Sequence, residues 1–299
     1  MAIIWGTNYT IIKQAFRELD PQAFNAVRMI VASTVFLVII AATRNLPAVR
    51  LGEGSIASIF YTPSRIRGRD WAGLVALGLV GQCLYQYWFV GGLAATSVSN
   101  AALILAFTPV LIGLAGGAVG EERATAVHWS GALLSLAGIY LVVGRGTSVG
   151  GSTLRGDLTM FAAVCCWAIY TMGSRPLMAR HSPVAVSGLS MSIGTAAYVP
   201  LVASHILAVR WADVSARTWG AAVYSALFAL CFSYTIWYAA VREIGSARTS
   251  AYSNVVPIVA MTTAVIFLGE PLQMGKVAGA AAVLAGVALT RVRTLSPAE

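Results

Sequence analysis

Apolar residues run along the chain in long blocks, separated by short polar stretches that gather the charges, prolines and many of the glycines. Ten blocks are present: Ala2 to Phe16, Gln22 to Ala42, Trp71 to Leu93, Val98 to Val119, Val127 to Val143, Leu158 to Met178, Val184 to Val209, Trp219 to Val241, Ser250 to Leu268 and Val277 to Thr290. Spanning strands are about ten residues long and alternate apolar with polar. These blocks are longer and uniformly apolar, so the pattern predicts ten transmembrane helices.

Composition supports lipid as the solvent. Of 299 residues, 58% are hydrophobic and 10% charged, against about 45–50% and 25% in soluble domains. A water-soluble globule is excluded, because so few charges would leave its surface apolar. The net charge of +9 does not indicate nucleic acid, since the arginines fall mostly between apolar blocks, where they report topology. With a cytoplasmic N-terminus, the inner ends hold Arg44, Arg50, Arg65, Arg67, Arg69, Arg123, Arg175, Arg180, Arg242, Arg248, Arg291 and Arg293, which is 12 of the 20 Lys and Arg residues. That bias predicts both termini inside. The four cysteines (Cys83, Cys165, Cys166, Cys231) lie in apolar blocks without a metal-like spacing and are expected to pack as small side chains. No cleavable leader is visible, and the short first span predicts that a few native residues precede Met1.

The chain matches itself. A shift of 148 residues, with no gap, places Trp71 on Trp219, Cys83 on Cys231, Pro109 on Pro257, Glu122 on Glu270, and Gly131, Gly138 and Leu141 on Gly279, Gly286 and Leu289. The first span matches at a shift of 162, which puts Trp5 on Trp167. Each repeat holds five spans, residues 1–146 and 156–293. An odd number of crossings forces the second repeat to enter the membrane upside down, a recurrent transporter design with its substrate site where the halves meet.

The segments WGTNYTIIK in the first span, AVRMIVAS in the second, TSVSNAALILAFTPVLIGLAGGAVGEE in the fourth and GSARTSAYSNVVPIVAMTTAVIFLGEPL in the ninth resemble the ten-helix EamA-type members of the drug/metabolite transporter (DMT) superfamily. The resemblance covers the whole chain and is nearest to amino-acid exporters of the YddG type. It implies an all-α integral membrane protein of two inverted five-helix EamA repeats. It further implies a bacterial inner-membrane exporter of aromatic and other neutral amino acids and related metabolites, working by alternating access around a cavity lined by spans one, three, four, six, eight and nine.

Polar side chains within lipid face protein or water, so mid-span polar and aromatic residues at helical spacing are the candidates for substrate contact. Gln82, Tyr85, Gln86 and Phe89 share one face of the third span, and Tyr234 lies on the matching face of the eighth. Core packing explains this set as readily, although two glutamines one turn apart favour a wet cavity. Trp5, Asn8, Trp167 and Tyr170 join them from spans one and six, where the resemblance puts the cavity. Ser253 and Asn254, just before Pro257, either touch substrate or repair the backbone that the proline frees. Tyr87, Trp88 and Tyr238 are expected in an interfacial belt. Lys13 and Arg28 sit near outer ends, where they snorkel or, on the sharper reading, one of them attracts a carboxylate. Glu122 and Glu270 are expected at helix starts, and Gly113, Gly117, Ala278, Ala282 and Gly286 along packing seams.

All 11 acidic residues and the three histidines fall in loops or near span ends. That leaves no mid-membrane proton relay in view and points to facilitated, gradient-driven movement or to coupling through a group that the sequence does not identify. No HExxH, Walker A loop or Ser/His pairing indicates an enzyme, a metal or a cofactor. Sugar-phosphates, nucleotide-sugars and drug cations remain as other substrate classes of the same architecture. A small neutral or zwitterionic solute, the bilayer as the other partner, and a monomer are expected.

Overall fold

The computed structural model describes residues 1–43, 56–60, 66–118, 126–144, 154–251, 253 and 255–289. The described residues are helical, with no strand among them. In chain order they form α1 (Ala2–Ala15), α2 (Pro21–Thr43), α3 (Gly68–Ala95), α4 in two halves (Val98–Leu105 and Thr108–Ala118), α5 (Ala126–Gly144), α6 (Leu154–Met178), α7 (Pro183–Leu201), α8 (Ala216–Ile244), α9 in two pieces (Ser246–Ala251 and Val255–Leu268) and α10 (Met274–Leu289). By length and hydropathy, α2, α3, α4, α6, α7 and α8 can each cross a membrane, while the second piece of α9 and α10 are shorter apolar helices and α1 has 14 residues. Most of the Arg44 to Asp70 loop, Glu122, Tyr252 and Asn254 lie outside the described residues.

Helix starts are written by caps that hydropathy overlooks. Asp20 Oδ1 accepts from the Gln22 and Ala23 N–H groups, Ser182 Oγ from Ala185 and Ser215 Oγ from Thr218, so α2, α7 and α8 begin up to three residues before their apolar blocks. Gly245 ends α8 at φ 83°, a left-handed conformation that glycine adopts without a Cβ clash. The seventh span is shorter than expected, with α7 ending at Leu201 and a separate short helix following at Ala203–Leu207.

Two distortions recur in the second half at the repeat spacing. α3 contains a π-helical segment, Gly78–Leu84, and α8 contains another, Ser225–Phe232. α4 is interrupted at Ala106 and Phe107, and α9 at Ser253, which lies in a 3-10 turn between its two pieces. Pro109 and Pro257 therefore do not kink a continuous helix. Each sits in the first turn of the following half-helix, where a missing N–H costs nothing.

Repeat mates also touch each other, which locates a pseudo-twofold axis. Ser33 Oγ lies 2.7 Å from Thr195 Oγ1, Gln86 Nε2 donates to Tyr234 Oη at 3.3 Å, and Ser135 Oγ donates to the Val283 carbonyl at 3.3 Å. The first pair is related by the 162 shift and the other two by 148. An axis that exchanges the halves must pass between the members of every such pair. At the α5–α10 seam, Gly138 faces Gly279 and Gly286 faces Gly131, the same contact made twice. The seam thus runs through Gly279, Val283 and Gly286 rather than Ala278 and Ala282. Gly113, expected in a seam, has no described neighbour within 4 Å of where a Cβ would stand.

The two ends of the bundle are tied by related contacts. At one end Asp70 binds Arg180 (2.5 Å) and His181 (3.1 Å). At the other, Glu18 accepts from the Thr218 hydroxyl, the Ser215 N–H and the Ser215 hydroxyl. Asp70 and Thr218 are mates at the 148 shift, and Arg180 and Glu18 at the 162 shift, so the carboxylate has changed sides of the contact. Hydrogen bonding to Thr218 first, then to Ser215, holds the Glu18 carboxyl below its ordinary pKa near 4.5. Cys83, Cys166 and Cys231 are buried and all four cysteines are free thiols.

Candidate substrate cavity between the two halves

Trp5 and Trp167, mates from α1 and α6, meet edge to face with ring centroids 5.9 Å apart. Around them gather Tyr234 (5.3 Å from Trp167), Tyr85 (5.1 Å from Trp167) and Phe89, which stacks on Tyr85 at 5.5 Å. The Trp5 indole N–H donates to the Ala229 carbonyl at 2.9 Å, within the π segment of α8. A π turn is a common device at functional sites, and here its backbone supplies an acceptor to a side chain of the opposite half.

A cavity opens beside this cluster, on the pseudo-axis. Its walls come from α1, α2, α3, α4, α6, α8 and α9, including Ala106 and Thr108 at the break in α4 and Ser253 and Pro257 at the break in α9. It is narrow, with about 50 Å³ of water-accessible space, enough for a few waters. Asn8 Oδ1 and Tyr9 Oη, both in its wall, have no hydrogen-bond partner among the described residues.

Of the sequence candidates, Trp5, Asn8, Tyr85, Gln86, Phe89, Trp167, Tyr234 and Ser253 line this cavity. Gln82 and Tyr170 do not. The π segment inserts an extra residue into α3, which turns the preceding residues by roughly 100° relative to an unbroken helix. Gln82 consequently packs against Gly194 of α7 instead of sharing the face of Tyr85, Gln86 and Phe89. Tyr170 packs on Gly81 and hydrogen-bonds Ser190 Oγ at 2.7 Å. Tyr238, expected in an interfacial belt, is fully buried and stacks on Tyr234.

Sequence reasoning passed over Tyr9 and treated two basic residues incompletely. Lys13 does not snorkel: its ammonium donates to the Leu93, Ala94 and Thr96 carbonyls at 2.6, 2.9 and 2.8 Å, closing the C-terminal end of α3. Arg28 does not reach the interface either, being 2% exposed and part of the cavity wall. It lies seven residues into α2, about 10 Å along the helix. Its position inside an apolar run was the available signal, because an intramembrane charge is a functional candidate by default.

Other polar groups are taken up structurally at the end of the bundle where α1 finishes. Glu270 accepts from Val98 N (2.7 Å), Ser99 N (3.2 Å) and Ser99 Oγ (2.6 Å), capping α4 of the other half. Asp157 accepts from Thr96 Oγ1 at 2.5 Å and from Asn100 Nδ2 at 3.5 Å, and Lys276 donates to Ser97 Oγ at 3.3 Å. No group of three His, Cys, Asp or Glu side chains suited to a metal occurs among the described residues.

The EamA-like transporter family model matches residues 1–144 and again 154–292. The uncharacterized transporter YyaM of Bacillus subtilis (strain 168) is 26% identical, over 96% of this chain and 89% of its own. An uncharacterized transporter of Archaeoglobus fulgidus is 24% identical, over 95% and 93%. A probable terminal-alkyne amino-acid exporter of Streptantibioticus cattleyicolor is 27% identical, over 77% and 76%. A solved crystal structure aligns with a TM-score of 0.67 at 20% identity, over 98% of this chain and 96% of that one, a likeness of fold. This chain belongs to the EamA-like transporter family, as a helical multi-pass membrane protein.

Proposed function

We propose that the protein exports amino acids, aromatic and other neutral ones, and related metabolites across the bacterial inner membrane by alternating access, with both termini cytoplasmic. The observation that carries this reading is the cavity on the pseudo-axis, walled by both halves and by the breaks of α4 and α9. Its aromatic faces suit apolar or aromatic side chains, and its polar atoms suit a charged head group. The name of the S. cattleyicolor relative supports the substrate class. One chain supplies all the walls, so a monomer suffices. In this reading the contacts of Asp70 and of Glu18 hold opposite ends of the bundle and yield in turn, as expected of inverted repeats rocking around a fixed site. Trp5, Asn8, Tyr85, Gln86, Phe89, Trp167, Tyr234 and Ser253 are the proposed contact residues. Counterflow of a panel of labelled amino acids in proteoliposomes tests the reading. Saturable exchange of neutral amino acids is expected, and exchange of none of the panel refutes it. Exchange that persists without a pH gradient identifies facilitated movement, whereas strict dependence on the gradient refutes that part.

A further inference from the structure

We propose that Arg28 anchors a carboxylate of the transported solute, so that the carrier accepts carboxylate-bearing solutes and refuses their amides. This rests on the reading that the cavity is the transport site, and it adds a chemical requirement to it.

Arg28 is buried in the cavity wall, yet its Nε and Nη1 atoms have no hydrogen-bond partner among the described residues. Its remaining nitrogen, Nη2, makes one long contact of 3.4 Å with Gln86 Oε1, a neutral acceptor. A guanidinium removed from water without a counter-charge is costly, and its N–H bonds are directed donors that suit a carboxylate. Other basic side chains are committed elsewhere: Lys13 to three carbonyls, Arg180 to Asp70, Arg210 to Asp213, Arg242 to Ser58 and Glu243. No acidic side chain lines the cavity among the described residues, so the anion has to arrive with the solute.

Pseudo-symmetry sharpens the point. The repeat mate of Arg28 is Ser190, whose hydroxyl is engaged with Tyr170 and with the Val186 and Ser187 carbonyls. The architecture therefore does not need an arginine at this position, and the charge breaks the symmetry of the cavity. Thr108, opening the second half of α4, lines the same space and presents the positive end of that half-helix. On the opposite side of the chemistry, Asn8 Oδ1 and the Tyr9 hydroxyl are acceptors without partners, suited to the ammonium of a zwitterion.

Because Trp5 and Trp167 line the cavity, tryptophan fluorescence of the purified full-length protein reads binding. Wild type, Arg28→Lys and Arg28→Gln are titrated with phenylalanine, 3-phenylpropionate and phenylalaninamide. Wild type is expected to bind both acids saturably and to bind the amide at least about tenfold more weakly, the scale of one lost charge-assisted hydrogen bond. Arg28→Gln is expected to weaken the acids by at least about tenfold while making the amide no weaker, since a like charge is removed, and Arg28→Lys to recover part of the loss. Wild-type affinity for the amide within about threefold of that for the acids, or acid binding by Arg28→Gln within about threefold of wild type, overturns the proposal. Binding of neither acid by wild type also overturns it. The acid-over-amide preference of wild type decides the matter even if a variant fails to fold. Amino-acid counterflow without that preference removes only the Arg28 assignment. Saturable binding of 3-phenylpropionate with no amino-acid counterflow keeps the assignment and removes the amino-acid reading.

Discussion

The close approach of α5 and α10 allows a quantitative test of the inverted-repeat packing. A Cβ added at Gly286 would stand 2.5 Å from the Gly131 carbonyl oxygen and 2.6 Å from Ser135 N, and one at Gly138 would stand 2.7 Å from both the Gly279 carbonyl oxygen and Val283 N. Besides the side chains of Ser135 and Val283, two backbone atoms obstruct each position, so relief requires the two helices to separate. Overpacking of this kind costs about 1–3 kcal/mol, offset by about 0.5–1 kcal/mol that alanine gains over glycine in a helix interior. The net loss is about 0–2.5 kcal/mol, and its middle, about 1.3 kcal/mol, corresponds to a melting temperature lower by roughly 3–5 °C. Gly113→Ala is the internal control, because no described residue lies within 4 Å of its Cβ position. Wild type, Gly138→Ala, Gly286→Ala and Gly113→Ala, purified in one detergent, are melted side by side by tryptophan fluorescence, with monodispersity checked by size exclusion. The two seam variants are expected to melt lower by similar amounts and the control to melt at or above wild type. A seam variant that melts with the control, or seam variants that shift in opposite directions, would refute the pseudo-symmetric seam.

Three further outcomes follow from the polar contacts. The Glu18 carboxyl has its pKa lowered by its Thr218 and Ser215 bonds, so its stabilising contribution is present above the ordinary value near 4.5 and is lost as pH falls through the lower folded value; melting curves at stepped pH should show wild type losing stability in that acid range, and Glu18→Gln showing the same slope would disprove the link. Lys13→Ala leaves three carbonyls at the end of α3 without their donor, so it should lower the melting temperature by several degrees, at about 1–3 kcal/mol for the uncapped groups, without altering acid-over-amide preference; a lost preference would reassign Lys13 to the solute. Trp5→Phe keeps an aromatic ring but removes the indole N–H with its 2.9 Å bond to Ala229 and trims the packing on Trp167, Tyr234 and Trp237, so it should cost at least about 1 kcal/mol of stability; an unchanged melting temperature would count against the π segment as an acceptor.

The candidate site was legible in the sequence wherever helical spacing and repeat register agreed. Tyr85, Gln86 and Phe89 share a face because the helix beyond the π segment is regular, and the self-match pairs Trp5 with Trp167, with the family resemblance putting both at the cavity. Gln82 fell off that face because a single inserted residue rotates everything before it, and a π turn leaves no signature in hydropathy. Arg28 was misplaced for a different reason. Distance from the end of an apolar block says how deep a residue lies, not whether it points to lipid, headgroup or cavity, and in α2 the neighbours α3, α7 and α8 settle the direction.

Composition and periodicity by themselves determined that lipid is the solvent, that the spans are helical, and that the halves are inverted repeats, since apolar length and an odd number of crossings are properties of the chain. What only the tertiary structure decided is which repeat mates meet across the axis, which helices break or widen, and which polar atoms are left without a partner. Those depend on three-dimensional neighbours drawn from the other half. That two nitrogens of the Arg28 guanidinium have no partner among the described residues becomes visible only once those residues are placed around it.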